Sequence, residues 1–357
     1  MSVRRSIIMM WALLVCGPAM GCTTGAEQEV QLTSRAQSEP AQAASVEVFR
    51  REQVLMGTGF EIQVVSTNGA EAAEAIDAAL MEVRRVEALL SEWQATSEIS
   101  AVNDAAGQGP VRVGPELFEV VERALGLAEL TGGAFDITFA GCGHLWSVRE
   151  RRIPKDAEVE ACLPWVGPGL VELERENSTI ALQSARVRIG IGGIGKGYGV
   201  DRAAEVLLAI GVVDFVVNGG GDIRTSGRRI DRPWRVGVAH PRQPDLIIGM
   251  LDVSDAAVVT SGDWERYFEE DGVRYHHILD PRTGRVARSS MAVTVVAENA
   301  TDADALATGL FVLGPTEGLA IIEALPGVEA LIIDPAGRMH PSAGFMERFE
   351  PSPLFSP

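Results

Sequence analysis

The ten residues 190–199, GIGGIGKGYG, constrain this chain more than any other stretch. They follow the apolar segment Arg186-Val187-Arg188-Ile189 and lead into a helical pattern over 200–210. A strand that empties through glycines into a helix start is suited to phosphate. The backbone can come close there, and free N–H groups and the helix dipole favour negative charge. Gly190, Gly192 and Gly195 match the dinucleotide-binding spacing G-x-G-x-x-G. Gly190, Gly195 and Lys196 resemble a P-loop, but Gly197 stands where that motif needs a magnesium-holding hydroxyl. A turn built only for tight packing would use the same letters, so the rest of the chain has to decide.

With 357 residues, 46% of them hydrophobic, the chain can build one large domain or two intimate ones. The formal net charge of −18 argues against nucleic acid as a partner, because phosphate backbones call for clustered Lys and Arg. A polyphosphate ligand would need a metal or a few local cations. Arg4 and Arg5 precede an apolar run over 7–15 and then small residues, which reads as a signal peptide over 1–21, too short to span a bilayer. The ending Ala19-Met20-Gly21-Cys22 resembles a bacterial lipobox. It would put lipid on Cys22 and anchor the mature protein to a membrane on the periplasmic side. An ordinary cleaved signal is the alternative. Residues 22–47 hold too few large apolar side chains to order themselves and read as a tether. Cys142 and Cys162 remain in the body, free or paired.

Along the body, two opening strands are expected within 46–65 and an amphipathic helix over 70–92, where Ile76, Leu80, Val83, Val86 and Leu90 recur at helical spacing. Residues 93–114 read as a loop. Pro115 can open a second helix that ends before Gly132. Residues 141–169 look like an irregular surface elaboration. Strands follow near 170–174, 178–182, 186–190, 212–217, 234–239, 247–253, 256–260, 273–279 and 291–297. Helices over 302–313 and 316–324 precede a last strand over 329–333. Strands outnumber helices without alternating with them, so the fold class is α+β.

Two further stretches carry chemistry. On a helix, Asp304 and Thr308 lie one above the other and offer hard oxygen ligands suited to magnesium, although an acid here could also cap the helix. Asp302 reads as that cap. His277 lies near the end of a strand and could serve as acid, base or phosphate contact. His276 beside it cannot face the same side of a strand, so one of the two reads as a spectator. No Ser-His-Asp spacing or zinc motif appears.

The ordered set resembles the ApbE family of FAD:protein FMN transferases over about residues 48–345, with 346–357 as a tail. It comprises Met56-Gly57-Thr58, Leu90-Ser91-Glu92-Trp93 with Ser97-Glu98-Ile99, Gly133-Ala134-Phe135-Asp136, the glycine turn and Asn218-Gly219-Gly220-Gly221-Asp222. The 260–268 run, 277–284 and Ala303-Asp304-Ala305-Leu306-Ala307-Thr308 complete it. The resemblance implies two intimately packed α/β subdomains with the active site in the cleft between them. It implies Mg²⁺-dependent cleavage of the FAD pyrophosphate, with FMN passed to a Thr or Ser of a redox partner protein and AMP released. Met56, Trp93, Ala134, Phe135, Asp136, Gly190, Lys196 and His277 would line the FAD site. Asp304, Thr308 and the carbonyl of Gly193 would hold the metal. The general base would be His277, with Asp304 as competitor. Gly190 is a departure, since many members carry an acidic residue there that contacts FAD. An FAD pyrophosphatase and a non-catalytic flavin-binding lipoprotein are the alternative functions.

Overall fold

Helix α1 (Gly69–Leu90) begins where Asn68 accepts from the amides of Ala70 and Glu71, and it buries Ile76, Leu80, Val83, Val86 and Leu90. The computed structural model describes residues 45–243 and 245–353. The expected signal, nearly all of the expected tether and Cys22, the expected lipid site, therefore lie outside the described residues. Helix α2 (Glu98–Asp104) occupies the stretch expected as loop. Ser97 caps it through the Ser100 amide, and Ile99 and Val102 are buried. At seven residues it is too short to show a period. Helix α3 (Pro115–Leu130) starts on its proline, and α4 (Ala140–Gly143) and α5 (Asp156–Cys162) follow within the elaboration. A disulfide joins Cys142 to Cys162 with 5.7 Å between their Cα atoms, which settles the pairing the sequence left open. Closing a loop of that length contributes on the order of 3 kcal/mol.

Three helices complete the set: α6 (Gly195–Ala209), α7 (Ala300–Leu313) and α8 (Pro315–Ile322). Helix α6 starts inside the glycine run, five residues earlier than its apolar pattern suggests. Residues 186–190 do not form the expected strand. The Asn103 side chain pairs them instead, accepting from the Ile189 N–H and donating to the Ile189 carbonyl, both at 2.9 Å.

An eight-stranded, wholly antiparallel sheet runs Glu47–Leu55, Thr58–Ser66, Phe215–Gly219, Asp222–Ser226, Ala257–Gly262, Ala292–Ala297, Glu329–Ile333, Met339–Pro341. Both of its faces are covered. Val293, Val295 and Ala297 join the cluster under the helices, while Ala292 and Val296 join a second cluster on the other face. Burial on both faces is why 291–297 is apolar at every position but Thr294. The second cluster is closed by a three-stranded sheet of Phe349–Pro351, Ile247–Val253 and Trp234–Ala239. Part of the expected tail thus belongs to the fold: Phe349 is buried and its strand pairs with Ile247–Val253. Three residues are too few to register as a strand in sequence. The architecture is α+β, and all described residues fall in one compact unit, Ala44–Pro357. No helix among them is long and apolar enough to cross a membrane.

Candidate functional site: a cleft at the start of α6

The start of α6 lies against α7 and the Asp222–Ser226 strand, and the reason is local. A Cβ on Gly197 would sit 2.2 Å from the Ala300 carbonyl oxygen and 3.0 Å from the Asp304 Cβ. Only glycine lets the two helices approach this closely. The Gly197 amide donates to Asp304 Oδ2 at 3.1 Å, so this turn is tied to a side chain of α7. Its packing role and its polar role are the same contact.

Beside it, the Lys196 ammonium reaches Asp222 Oδ2 at 2.6 Å and Asp304 Oδ1 at 3.5 Å. Both acids are almost fully buried, at 1% and 3% exposure, so two carboxylates share one cation. Burial first, and then the charge of Asp304, push the Asp222 carboxyl well above its ordinary range. Burial works against the Lys196 charge, but Asp304 and Asp222 together outweigh it and hold the ammonium above its usual range. Thr308 lies one turn along α7 from Asp304. Its Oγ1 is 3.5 Å from the position a Cβ on Gly193 would take. Gly193, Asp304 and Thr308, the expected metal ligands, are therefore brought together.

A cavity of about 1030 Å³ opens in front of this cluster. Met56, Trp93 and Lys196 line it, as do Glu92, Thr260 and Glu265. Trp93 stands at the mouth with its side chain almost wholly in water, at 94% exposure. His277 sits beside Glu265, with 3.8 Å between Nε2 and the Glu265 carboxylate, and its Nδ1 lies 3.4 Å from the Arg266 carbonyl. Desolvation pushes the His277 pKa down to about 4 and holds the Glu265 carboxyl above its ordinary range. His276 is buried. Its Nε2 faces the Ala287 carbonyl at 3.0 Å, and its Nδ1 accepts from Ile278.

Ala134, Phe135 and Asp136 are placed differently from the expectation that they line the flavin site. They are buried behind the glycine turn rather than on the cavity wall, with the Phe135 ring 3.3 Å from the Cβ position of Gly193. Asp136 accepts from the amide and hydroxyl of Thr138 and caps the short turn Ile137–Phe139. Gly190, Gly193, His277, Asp304 and Thr308 are also off the wall, and the carboxylate of Glu92 lies against Gly190. Sequence reasoning missed Asp222, Glu92 and Glu265 as members of the site. The first follows a run of three glycines and the third lies in a stretch already singled out, so position was legible but partnership was not.

Among the described residues no group of three or more His, Cys, Asp or Glu forms a ready cage for a metal ion. The oxygen set at this site is mixed: one carboxylate, one hydroxyl and a backbone carbonyl. Such hard donors fit a magnesium ion that also binds phosphate. Two buried acids share one ammonium, and a divalent ion beside them would favour the ionised form of both.

The family model described as the ApbE family matches residues 56–332. A protein of Treponema pallidum named FAD:protein FMN transferase is 34% identical over 329 residues, which is 85% of this chain and 90% of that relative. One of Vibrio cholerae with the same name is 33% identical, covering 75% of this chain and 82% of its own length. Among solved structures, the ApbE protein of Thermotoga maritima superposes with a TM-score of 0.78 at 34% identity, over 85% of this chain and 99% of the other. The flavin transferase ApbE of Vibrio cholerae gives 0.75 at 30% identity, over 85% and 100%.

Proposed function

This chain belongs to the ApbE family and is an FAD:protein FMN transferase, and from that premise we propose how its cleft carries the reaction. FAD binds in the cavity with its diphosphate toward Lys196 and the start of α6. A hydroxyl of a Ser or Thr in the acceptor protein attacks the phosphorus of the FMN half. One phosphoester bond forms, the P–O bond to the AMP half breaks, and the hydroxyl proton leaves to a base. Removing FMN from FAD leaves AMP, so the atoms balance.

The observation that carries this reading is Lys196 on the wall of one large cavity, 3.5 Å from Asp304 behind it, with Thr308 one turn along from Asp304 and close to Gly193. Asp304, Thr308 and the Gly193 carbonyl would hold Mg²⁺. Bound there, the ion would supply charge neutralisation for the diphosphate. Lys196 adds a cation at the cavity wall of a protein whose net charge is −18. His277 is the proposed base. Desolvation pushes its pKa down to about 4, so the ring is unprotonated near neutral pH, and Glu265, 3.8 Å from Nε2, would offset that weak basicity by stabilising the imidazolium formed on proton transfer. Met56 and Trp93 would hold the apolar flavin or adenine rings.

The acceptor is proposed to be a redox protein facing the periplasm, and this enzyme a lipoprotein anchored through Cys22. The charged and apolar pattern over 4–22 supports that reading. The test is to incubate the protein with FAD, Mg²⁺ and an acceptor. AMP should appear together with an acceptor that keeps its flavin after denaturation. AMP with no labelled acceptor would point to a pyrophosphatase, and bound FAD with neither product to a binding protein. Either result would overturn the proposal.

A further inference from the structure

Gly190 has no side chain, yet the space its side chain would enter is filled. A Cβ at 190 would lie 2.6 Å from Glu92 Oε2 and 2.7 Å from the Ala140 Cβ. Glu92 comes from the segment just after α1, nearly a hundred residues earlier in the chain. One of its oxygens is fixed: Ile191 donates its N–H to Oε1 at 3.1 Å, within the glycine turn itself. Glu92 also lines the large cavity in front of that turn, beside Trp93, Ile191 and Gly192. Desolvation holds its carboxyl above the ordinary range, and the Ile191 amide partly offsets this; no cation contributes. An ionised carboxylate has about four lone-pair sites on two oxygens, and a single backbone amide uses one. An acceptor with spare capacity, exposed at the wall of a ligand cavity and with one oxygen fixed by the turn, is built to receive a donor.

We propose that Glu92 is a substrate-binding residue: Oε1 is anchored on the Ile191 amide while Oε2 accepts a hydrogen bond from the flavin nucleotide. Charge selects the part of the ligand it meets. A carboxylate repels the diphosphate, so Oε2 faces a hydroxyl of a sugar or ribityl chain, or a ring N–H. The site divides the nucleotide accordingly, with Lys196 at the anionic middle and Glu92 on a neutral, donor-bearing portion. The glycine at 190 follows from this arrangement, because any larger residue would expel the carboxylate from its seat. This inference rests on FAD being the substrate.

The test separates holding the turn from touching the ligand. Glu92→Gln keeps a carbonyl oxygen for the Ile191 amide but turns an NH₂ donor toward the substrate's own donor. Its melting temperature should stay within about 2 °C of wild type. Its Kd for FAD, read from flavin fluorescence without acceptor, should rise roughly tenfold or more. In steady state KM for FAD should rise by a similar factor, with kcat at saturating FAD within roughly twofold. Glu92→Ala should weaken FAD binding at least as much. If Glu92→Gln binds FAD as wild type does, the carboxylate only braces the turn and the proposal is wrong, whatever Glu92→Ala does. A wild-type protein that transfers FMN while Glu92→Gln is unaltered would sink this inference alone. A wild-type protein that does not bind FAD would sink the functional reading beneath it as well.

Discussion

Two buried acids lie on the contact between α6 and α7, and they are treated in opposite ways. Asp201 accepts from the Ala300 amide at 2.9 Å, the Thr301 amide at 2.8 Å, the Thr301 hydroxyl at 2.5 Å and Arg224 at 2.8 Å. It caps the start of α7, and its charge is matched by one guanidinium. Asp304, one turn further along α7, accepts one amide at 3.1 Å, is hydrogen-bonded to the Asp222 carboxyl, and shares Lys196 with it, the ammonium lying closer to Asp222. The first acid has a guanidinium of its own, while the second depends on a cation that another buried carboxylate holds more closely. Because a buried charge with incomplete compensation costs several kcal/mol, a fold keeps one most readily where something else completes it. How the charge is matched, rather than burial, distinguishes the capping acid from the proposed metal ligand.

The sharpest way to break that comparison is to neutralise each acid and watch two readouts. Asp304→Asn should lower FMN transfer by roughly a thousandfold or more, the scale of losing a central electrostatic group. Its melting temperature should hold or rise, because Lys196 is left in an even pair with Asp222. Asp201→Ala should do the reverse. Stranding Arg224 and the first amides of α7 should cost about 3 kcal/mol in denaturant unfolding, while transfer by the folded fraction falls far less. If Asp304→Asn unfolds the protein, or Asp201→Ala abolishes transfer without touching stability, the distinction fails.

The two histidines extend the comparison to pH. Both pKa values drop from 6.5 to about 4 in the fold, chiefly through desolvation. Between those values the unfolded chain binds more protons than the folded one, so stability should rise with pH through that window and be lost as pH falls from about 6.5 toward 4. Each fully realised shift is worth a few kcal/mol at most. Urea midpoints at pH 7 and pH 4.5 measure it. His276 is locked between Ala287 and Ile278, so its share should persist in His277→Asn, and the slope should shrink without vanishing. A flat profile in the wild type would mean that neither ring is held neutral.

Much of this was written plainly in the chain. The stripe Ile76, Leu80, Val83, Val86, Leu90 marked α1, and the strands expected over 234–239 and 247–253 have those bounds in the fold. Asp304 and Thr308 could be stacked from their spacing alone. What stayed hidden were contacts across distance. Nothing in the letters near Lys196 says that its ammonium will bridge Asp222 and Asp304, or that Gly197 is glycine because a carbonyl of α7 lies 2.2 Å from where a Cβ would be. Motif order likewise could not say on which side of the turn Ala134, Phe135 and Asp136 fall. Short elements such as α2 and Phe349–Pro351 lack the length for a period, and their capping and pairing partners appear only after folding.

The smallest expected effect concerns Trp93, an apolar counterpart of the incompletely matched acid. A tryptophan held at 94% exposure contributes almost nothing to the folded state, yet it stands at the mouth of the cavity beside Glu92. Trp93→Ala should therefore leave stability within about 0.5 kcal/mol, as for other surface changes. If the indole is there to be covered by a ring of the nucleotide, KM for FAD should rise roughly three- to tenfold, the worth of one aromatic contact, with kcat nearly unchanged. Trp93→Phe should recover most of that loss, because a face for stacking is restored while the indole N–H is not. An unchanged KM in Trp93→Ala would leave this side chain exposed for some other reason. It would also show that incompleteness marks the ligand only for buried charge, not for apolar surface.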